Sequence, residues 1–207
     1  MYLRLSPDEE SIKDIFDSFF ETECSIERVR NAGESGFDAT AWDRFIETGG
    51  PGMCLPESCG GGGADLTTAA IVANLLGTYL APIPFIEHVV AARLLASLDQ
   101  NNANLARLAT GEIIASIALQ SLHDSTNVIV PAGAIANYII GLRGKEVVVV
   151  ENTTEASALR NTANLPIARH NFDDAMVIAS GDEAHNAYQR AKSEWKALMA
   201  VALTGLG

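Results

Sequence analysis

Leu108-Ala109-Thr110-Gly111-Glu112-Ile113-Ile114-Ala115-Ser116-Ile117-Ala118-Leu119 is the stretch at which the chain changes its period. Before Gly111, apolar residues recur every three or four positions, the spacing of helices with one buried face. After it come short runs rich in Ile and Val, the residues that fit a pleated sheet. A block of helices followed by a block of strands predicts an α+β fold rather than alternating βα units.

On the N-terminal side, Ser6-Pro7-Asp8-Glu9 forms a capping box with proline at the first helical position. Ile12, Ile15, Phe16, Phe19 and Phe20 then supply an apolar stripe. A second helix is predicted over 39–48, burying Trp42, Phe45 and Ile46 and stopping at Gly49-Gly50. Asp65 or Thr67 caps a helix over 67–79, which Ala81-Pro82-Ile83-Pro84 ends. Helices over 85–98 and 102–109 complete the block.

On the C-terminal side, strands are predicted over 113–119, 127–130, 138–142 and 146–150, with a turn over 141–145. Further candidates are 168–172 and 176–179. From Asp182 the pattern is helical again, and Ala187, Ala191, Trp195, Leu198 and Ala202 share a face. Met199, Val201 and Leu203 extend apolar surface around that helix and predict a need for a covering partner. The expected organisation is a helical domain over 1–110, a β-domain over 111–180 and the first helix of a further domain over 181–207.

The 207 residues are 48% hydrophobic and 19% charged, a globular composition. A formal net charge of -12 opposes binding to nucleic acid and to anionic membranes. No apolar run is long enough for a membrane span, and Met1 to Glu10 lacks the features of a signal peptide. Three cysteines, Cys24, Cys54 and Cys59, suggest reduced thiols and a cytoplasmic location. No metal site is expected at Cys54 and Cys59, which have no His or Asp cluster beside them. Gly60 to Gly63 reads as a tight turn into a helix, since no Gly-Lys-Ser/Thr follows. His88 and Trp195 read as packing residues, and His170 and His185 as surface residues.

Several of these segments together resemble the acyl-CoA dehydrogenase family. They are Trp42-Asp43-Arg44-Phe45, Gly52-Met53-Cys54-Leu55-Pro56-Glu57, Gly60 to Gly63, the helix over 67–79, Leu80-Ala81-Pro82 and Leu108-Ala109-Thr110-Gly111-Glu112. The resemblance implies a helical domain, a shortened β-barrel-like domain and the start of a C-terminal helical domain. It also implies FAD as cofactor and α,β-dehydrogenation of an acyl-CoA thioester. The family's Ala-Leu-Thr-Glu-Pro strand end, which faces the flavin, corresponds to Ala118-Leu119-Gln120-Ser121-Leu122. Leu119, Gln120 and Ser121 are therefore the expected cofactor-binding positions. Ile129 and Pro131 stand where the family has an aromatic and a hydroxyl beside the flavin ring. His123 and Asp124 adjoin the strand end as candidates to line the cleft.

No residue matches the family's catalytic Glu, so none is assigned as base. Two functions follow from the resemblance: a flavin-dependent acyl-CoA dehydrogenase or subunit of one, and a non-catalytic partner or scaffold for a full-length paralogue. Monooxygenases and nitroalkane oxidases share the flavin fold. The expected assembly is a homo-oligomer, or a hetero-oligomer with an acyl-CoA dehydrogenase paralogue.

Overall fold

The structure, a computed structural model, describes residues 4–122, 127–152 and 156–207. Six helices come first: α1 (Pro7–Glu23), α2 (Ile26–Asn31), α3 (Ala39–Glu47), α4 (Leu66–Thr78), α5 (Phe85–Leu98) and α6 (Asn104–Ala109). The capping box forms as read: Glu9 N–H donates to Ser6 Oγ at 3.3 Å and Ser6 N–H to Glu9 Oε2 at 2.6 Å. Phe16 and Phe20 are buried, but Ile15 is 58% exposed. At about 100° per residue, Ile15 lies well around the helix from the Phe16–Phe20 line. Helix α2 was not expected, because six residues without a buried side chain carry no periodic signal. Asp65, not Thr67, caps α4 by accepting from Thr68 N–H at 2.9 Å.

Helix α5 is the axis of the helical block, with ten of its fourteen residues buried. A helix apolar on most sides must be covered on most sides. An aromatic cluster covers its start, where Phe45 meets Phe85 edge-on at 5.5 Å and Phe16 at 5.7 Å.

The strands are β1 (Ala115–Ile117), β2 (Asn127–Val130), β3 (Tyr138–Arg143), β4 (Glu146–Glu151), β5 (Ala168–Asn171) and β6 (Met176–Ser180). They form one four-stranded sheet, β1-β3-β4-β6, and a separate pair, β2-β5. β1 lies parallel to β3, and every other pairing is antiparallel. The β3–β4 turn is narrower than predicted. Gly144 takes its positive φ of 64°, while Gly141 sits inside β3. His170 is a correction: it is buried, not on the surface. Alternation along β5 turns Ala168 and His170 inward, and His170 Nε2–H donates to the Gly133 carbonyl at 2.7 Å.

Two side chains pin the passage from helices to sheet. The His88 Nε2–H donates to Leu108 O at 3.0 Å, and its Nδ1 accepts from Ala115 N–H at 3.2 Å. Trp42 Nε1–H donates to Gly111 O at 3.3 Å.

The last helix, α7 (Asp182–Gly205), folds back over the helical block and buries Ala184, Ala187, Tyr188, Ala191, Leu198 and Ala202. Its main neighbours are α4 and α5, so most of the apolar surface expected to need a partner is covered within the chain. Met199 and Val201 are half-buried, and Leu203 and Leu206 remain exposed. The α4–α7 crossing depends on missing side chains. A Cβ at Gly77 would lie 1.8 Å from Ala202 O, and one at Gly205 would lie 2.0 Å from Asn74 O. No described helix is long and apolar enough to cross a membrane.

Two predictions follow from these contacts. Gly77→Ala gains about 1 kcal/mol of helix propensity, but it drives a methyl into backbone that cannot yield like a side chain. Overpacking of that kind costs roughly 1–3 kcal/mol and wins. The expected result is a lower urea midpoint at unchanged m-value. The second concerns His88, whose imidazole burial pulls down from 6.5 to about 4. Folding therefore favours the neutral ring. Its contribution is whole above pH 6.5 and is lost as pH falls through 4, a span of roughly 3 kcal/mol. Urea unfolding between pH 7 and 4 is expected to lose that much stability in the wild type. In a His88→Gln protein, which starts from a lower stability, this part of the pH dependence is expected to disappear.

Candidate functional site

The four-stranded sheet opens where β1 ends. Ala118 N–H donates to Ile140 O at 2.8 Å, and the following rung is Leu122 N–H to Leu142 O at 3.0 Å. The β3 side advances from 140 to 142, while the other side advances from 118 to 122. A regular parallel ladder would advance equally, so two extra residues are pushed out as a bulge. Among the described residues, no backbone hydrogen bond engages the N–H or C=O groups of Leu119, Gln120 or Ser121.

The bulge is closed by packing. Leu122 is buried over Gly141, where an added Cβ would meet Leu122 Cδ1 and Phe172 Cε1, each at 2.8 Å. On the other side of the opening, the hydroxyl of Tyr188 in α7 donates to Ala118 O and lies 3.4 Å from Ile140 O. Leu119 is half-buried; Gln120 and Ser121 are exposed. The result is a short run held open between two fixed rungs, whose peptide groups have no backbone partner among the described residues.

The other two candidates lie on the smaller sheet. β2 alternates, with Val128 and Val130 buried and Asn127 and Ile129 turned outward. Ile129 is half-buried and sits opposite Arg169 of β5. Pro131, half-buried, continues the outward face two residues on, and its carbonyl accepts from Ser116 Oγ in β1. That bond ties the Pro131 segment to the strand carrying the bulge, and among the described residues no hydrogen bond ties Ile129 to it. His123 and Asp124 lie outside the described residues.

A second concavity, a cavity of about 530 Å³, lies between α5, α7 and the 54–64 segment. Its floor includes Cys54, Leu94, Ala187 and Ala191, all buried. At one side Arg93 makes a two-pronged ion pair with Glu194, Nε to Oε2 at 3.0 Å and Nη2 to Oε1 at 3.1 Å. Burial pushes the Cys54 thiol up to about 12, which keeps it protonated and unreactive. Glu87 of α5 accepts from Trp195 Nε1–H at 3.2 Å, and burial raises its carboxyl above the ordinary range. A half-buried carboxyl of this kind is suited to proton transfer, but its hydrogen bond is to Trp195 of α7, not to the bulge. None of Glu87, Glu194 and Tyr188 is marked in the sequence, since each gains its partner across more than forty residues of chain. Among the described residues, no cluster of His, Cys, Asp and Glu is able to hold a metal ion.

Residues 6–112 match the acyl-CoA dehydrogenase N-terminal domain. The chain is 32% identical over 116 residues to the acyl-CoA dehydrogenase IpdE2 of Mycolicibacterium smegmatis, covering 55% of this chain and 37% of that protein. It thus spans well under half the length of the curated relatives it matches. Among solved structures, the ChsE4-ChsE5 complex from Mycobacterium tuberculosis superposes with a TM-score of 0.75 at 20% identity, over 93% of this chain and 64% of that one. Butyryl-CoA dehydrogenase from Megasphaera elsdenii superposes with a TM-score of 0.79 at 14% identity, over 99% of this chain and 67% of that one. At such identities the superpositions establish the α+β fold: N-terminal helices, a sheet region and a final helix. The helical half, with its Leu-Pro-Glu segment and glycine turn, carries the sequence match, and the chain belongs to the acyl-CoA dehydrogenase family.

Proposed function

We propose that this chain works within a flavin-dependent acyl-CoA dehydrogenase, as one subunit of the complete enzyme. The observation that carries the reading is the bulge at Leu119, Gln120 and Ser121, whose peptide N–H and C=O groups have no backbone partner among the described residues. A flat heterocycle with alternating carbonyl and N–H groups is complementary to such an edge. The residues present therefore fit the ring edge of FAD, and Ile129 and Pro131 offer apolar surface for the ring face. FAD supplies the hydride acceptor for α,β-dehydrogenation of an acyl-CoA thioester. The chain's own part is to orient that acceptor and to exclude water with the buried strands behind it.

On this reading residues 1–110, 111–180 and 181–207 act as three units, the middle one carrying the flavin wall and the last bracing it. The second reading is a non-catalytic partner for a full-length paralogue. Two features favour it: Gln120-Ser121-Leu122 replaces the family's Thr-Glu-Pro, and no residue of the sequence matches the family's catalytic Glu. A structural neighbour is itself a two-component complex, ChsE4-ChsE5. We extend that arrangement to this chain, with a second copy or a paralogue as partner.

The expected outcome is weak flavin binding by the chain alone, with a Kd above about 10 μM, or roughly -7 kcal/mol. Co-expression with an acyl-CoA dehydrogenase paralogue should tighten it. Quenching of flavin fluorescence on titration measures the first, and the visible spectrum of the co-purified complex the second. Stoichiometric, tightly held FAD in the isolated chain would remove the need for a partner. Absence of flavin from both preparations would leave the non-catalytic reading.

A further inference from the structure

Tyr188 projects from α7 into the four-stranded sheet and is 1% exposed. Its hydroxyl meets Ala118 O and Ile140 O, the two carbonyls at the last regular rung before the bulge. In an undisturbed parallel ladder, Ala118 O would accept a backbone N–H from β3. Among the described residues no backbone N–H takes that carbonyl, and the Tyr188 hydroxyl takes it instead. A buried carbonyl left without a donor is costly, so the opening of the ladder and the presence of this phenol are linked. Burial also raises the phenol's pKa, so the ring stays a donor at every physiological pH.

We propose that Tyr188 is a positioning residue for the flavin wall: its hydroxyl replaces the missing ladder donor at Ala118 and so fixes where Leu119, Gln120 and Ser121 leave the sheet. The proposal rests on the flavin reading for its purpose, not for its geometry. The geometry makes the wall depend on α7. That helix is seated through Gly77 and Gly205 on α4 and through the Arg93–Glu194 pair on α5. The bulge therefore takes its shape only when α7 is docked.

Tyr188→Phe removes the hydroxyl and keeps the ring that fills the space. Hydrogen exchange by NMR is read at Ala118 and Leu122, the bonded amides on either side of the bulge, and at Val148 in β4 as reference. The expected result is at least tenfold faster exchange at Ala118 and Leu122 with Val148 unchanged. In the same variant FAD affinity falls at least fivefold, and the visible spectrum of bound flavin shifts. Unchanged exchange at both bulge amides overturns the proposal. Equal acceleration at all three amides also overturns it, since that is general loss of stability. If neither wild type nor variant binds FAD, alone or co-purified with the paralogue, the flavin reading falls while the exchange pattern still decides the positioning role. The wild type gives a check that needs no variant: a hydroxyl proton held this way is protected and observable, and its rapid exchange with water counts equally against the proposal.

Discussion

A neutral imidazole at the centre of the molecule is the contact on which the remainder depends. His88 is fully buried in α5, and its two ring nitrogens play opposite parts, one donating to Leu108 O and the other accepting from Ala115 N–H. A protonated ring has two donors and would set one of them against the Ala115 amide. Proton state, burial and geometry are therefore a single constraint. Trp42 meets the same ring edge-on at 5.3 Å and bonds Gly111 O, so the segment between α6 and β1 is held from two sides. The register of β1 on β3 follows from where that segment ends.

The second closure is made by α7. Its contact with α4 is a place where side chains are absent, and the close backbone approach at Gly77 and Gly205 lets the two helices seal without a bulky seam. The Arg93–Glu194 pair is partly exposed, 27% and 24% at the side chains, and contributes at most about 1 kcal/mol. Its value lies in the fixed fork geometry, which sets α7 against α5. With α7 so placed, Tyr188 reaches the sheet, and the polar face carrying Asn186, Gln189 and Ser193 is left outward.

Weak agreement with the family's flavin motif does not by itself count against the proposed flavin wall. Peptide groups bind through the backbone, and backbone donors do not depend on side-chain identity. Leu122 stands where the family pattern has proline. Its N–H makes the closing rung to Leu142 O, a bond that proline has no hydrogen to form. Its side chain fills the space over Gly141. The departure from the family thus ties the end of the opening to the sheet more firmly than the family residue would.

The sequence by itself determined the family and most of the elements, though not α2. The period change at Gly111, the capping box at Ser6, the breaks at Gly49-Gly50 and Pro82, and the ordered segments from Trp42 to Glu112 are local signals, and helix and strand boundaries are set locally. Residues 119–121 were legible as a candidate site only through resemblance. What made them a bulge is the rung from Leu122 to Leu142 and the phenol of Tyr188, contacts across twenty to seventy residues. His170 was misread because a half-polar strand such as β5 does not reveal which face is inward until the Gly133 segment packs against it. The fate of the last helix was also beyond reach, since its apolar residues look alike whether α4 or a partner covers them. Local patterns fix which face must be buried, and only the assembled fold, by bringing Gly77 against Ala202, decides what buries it.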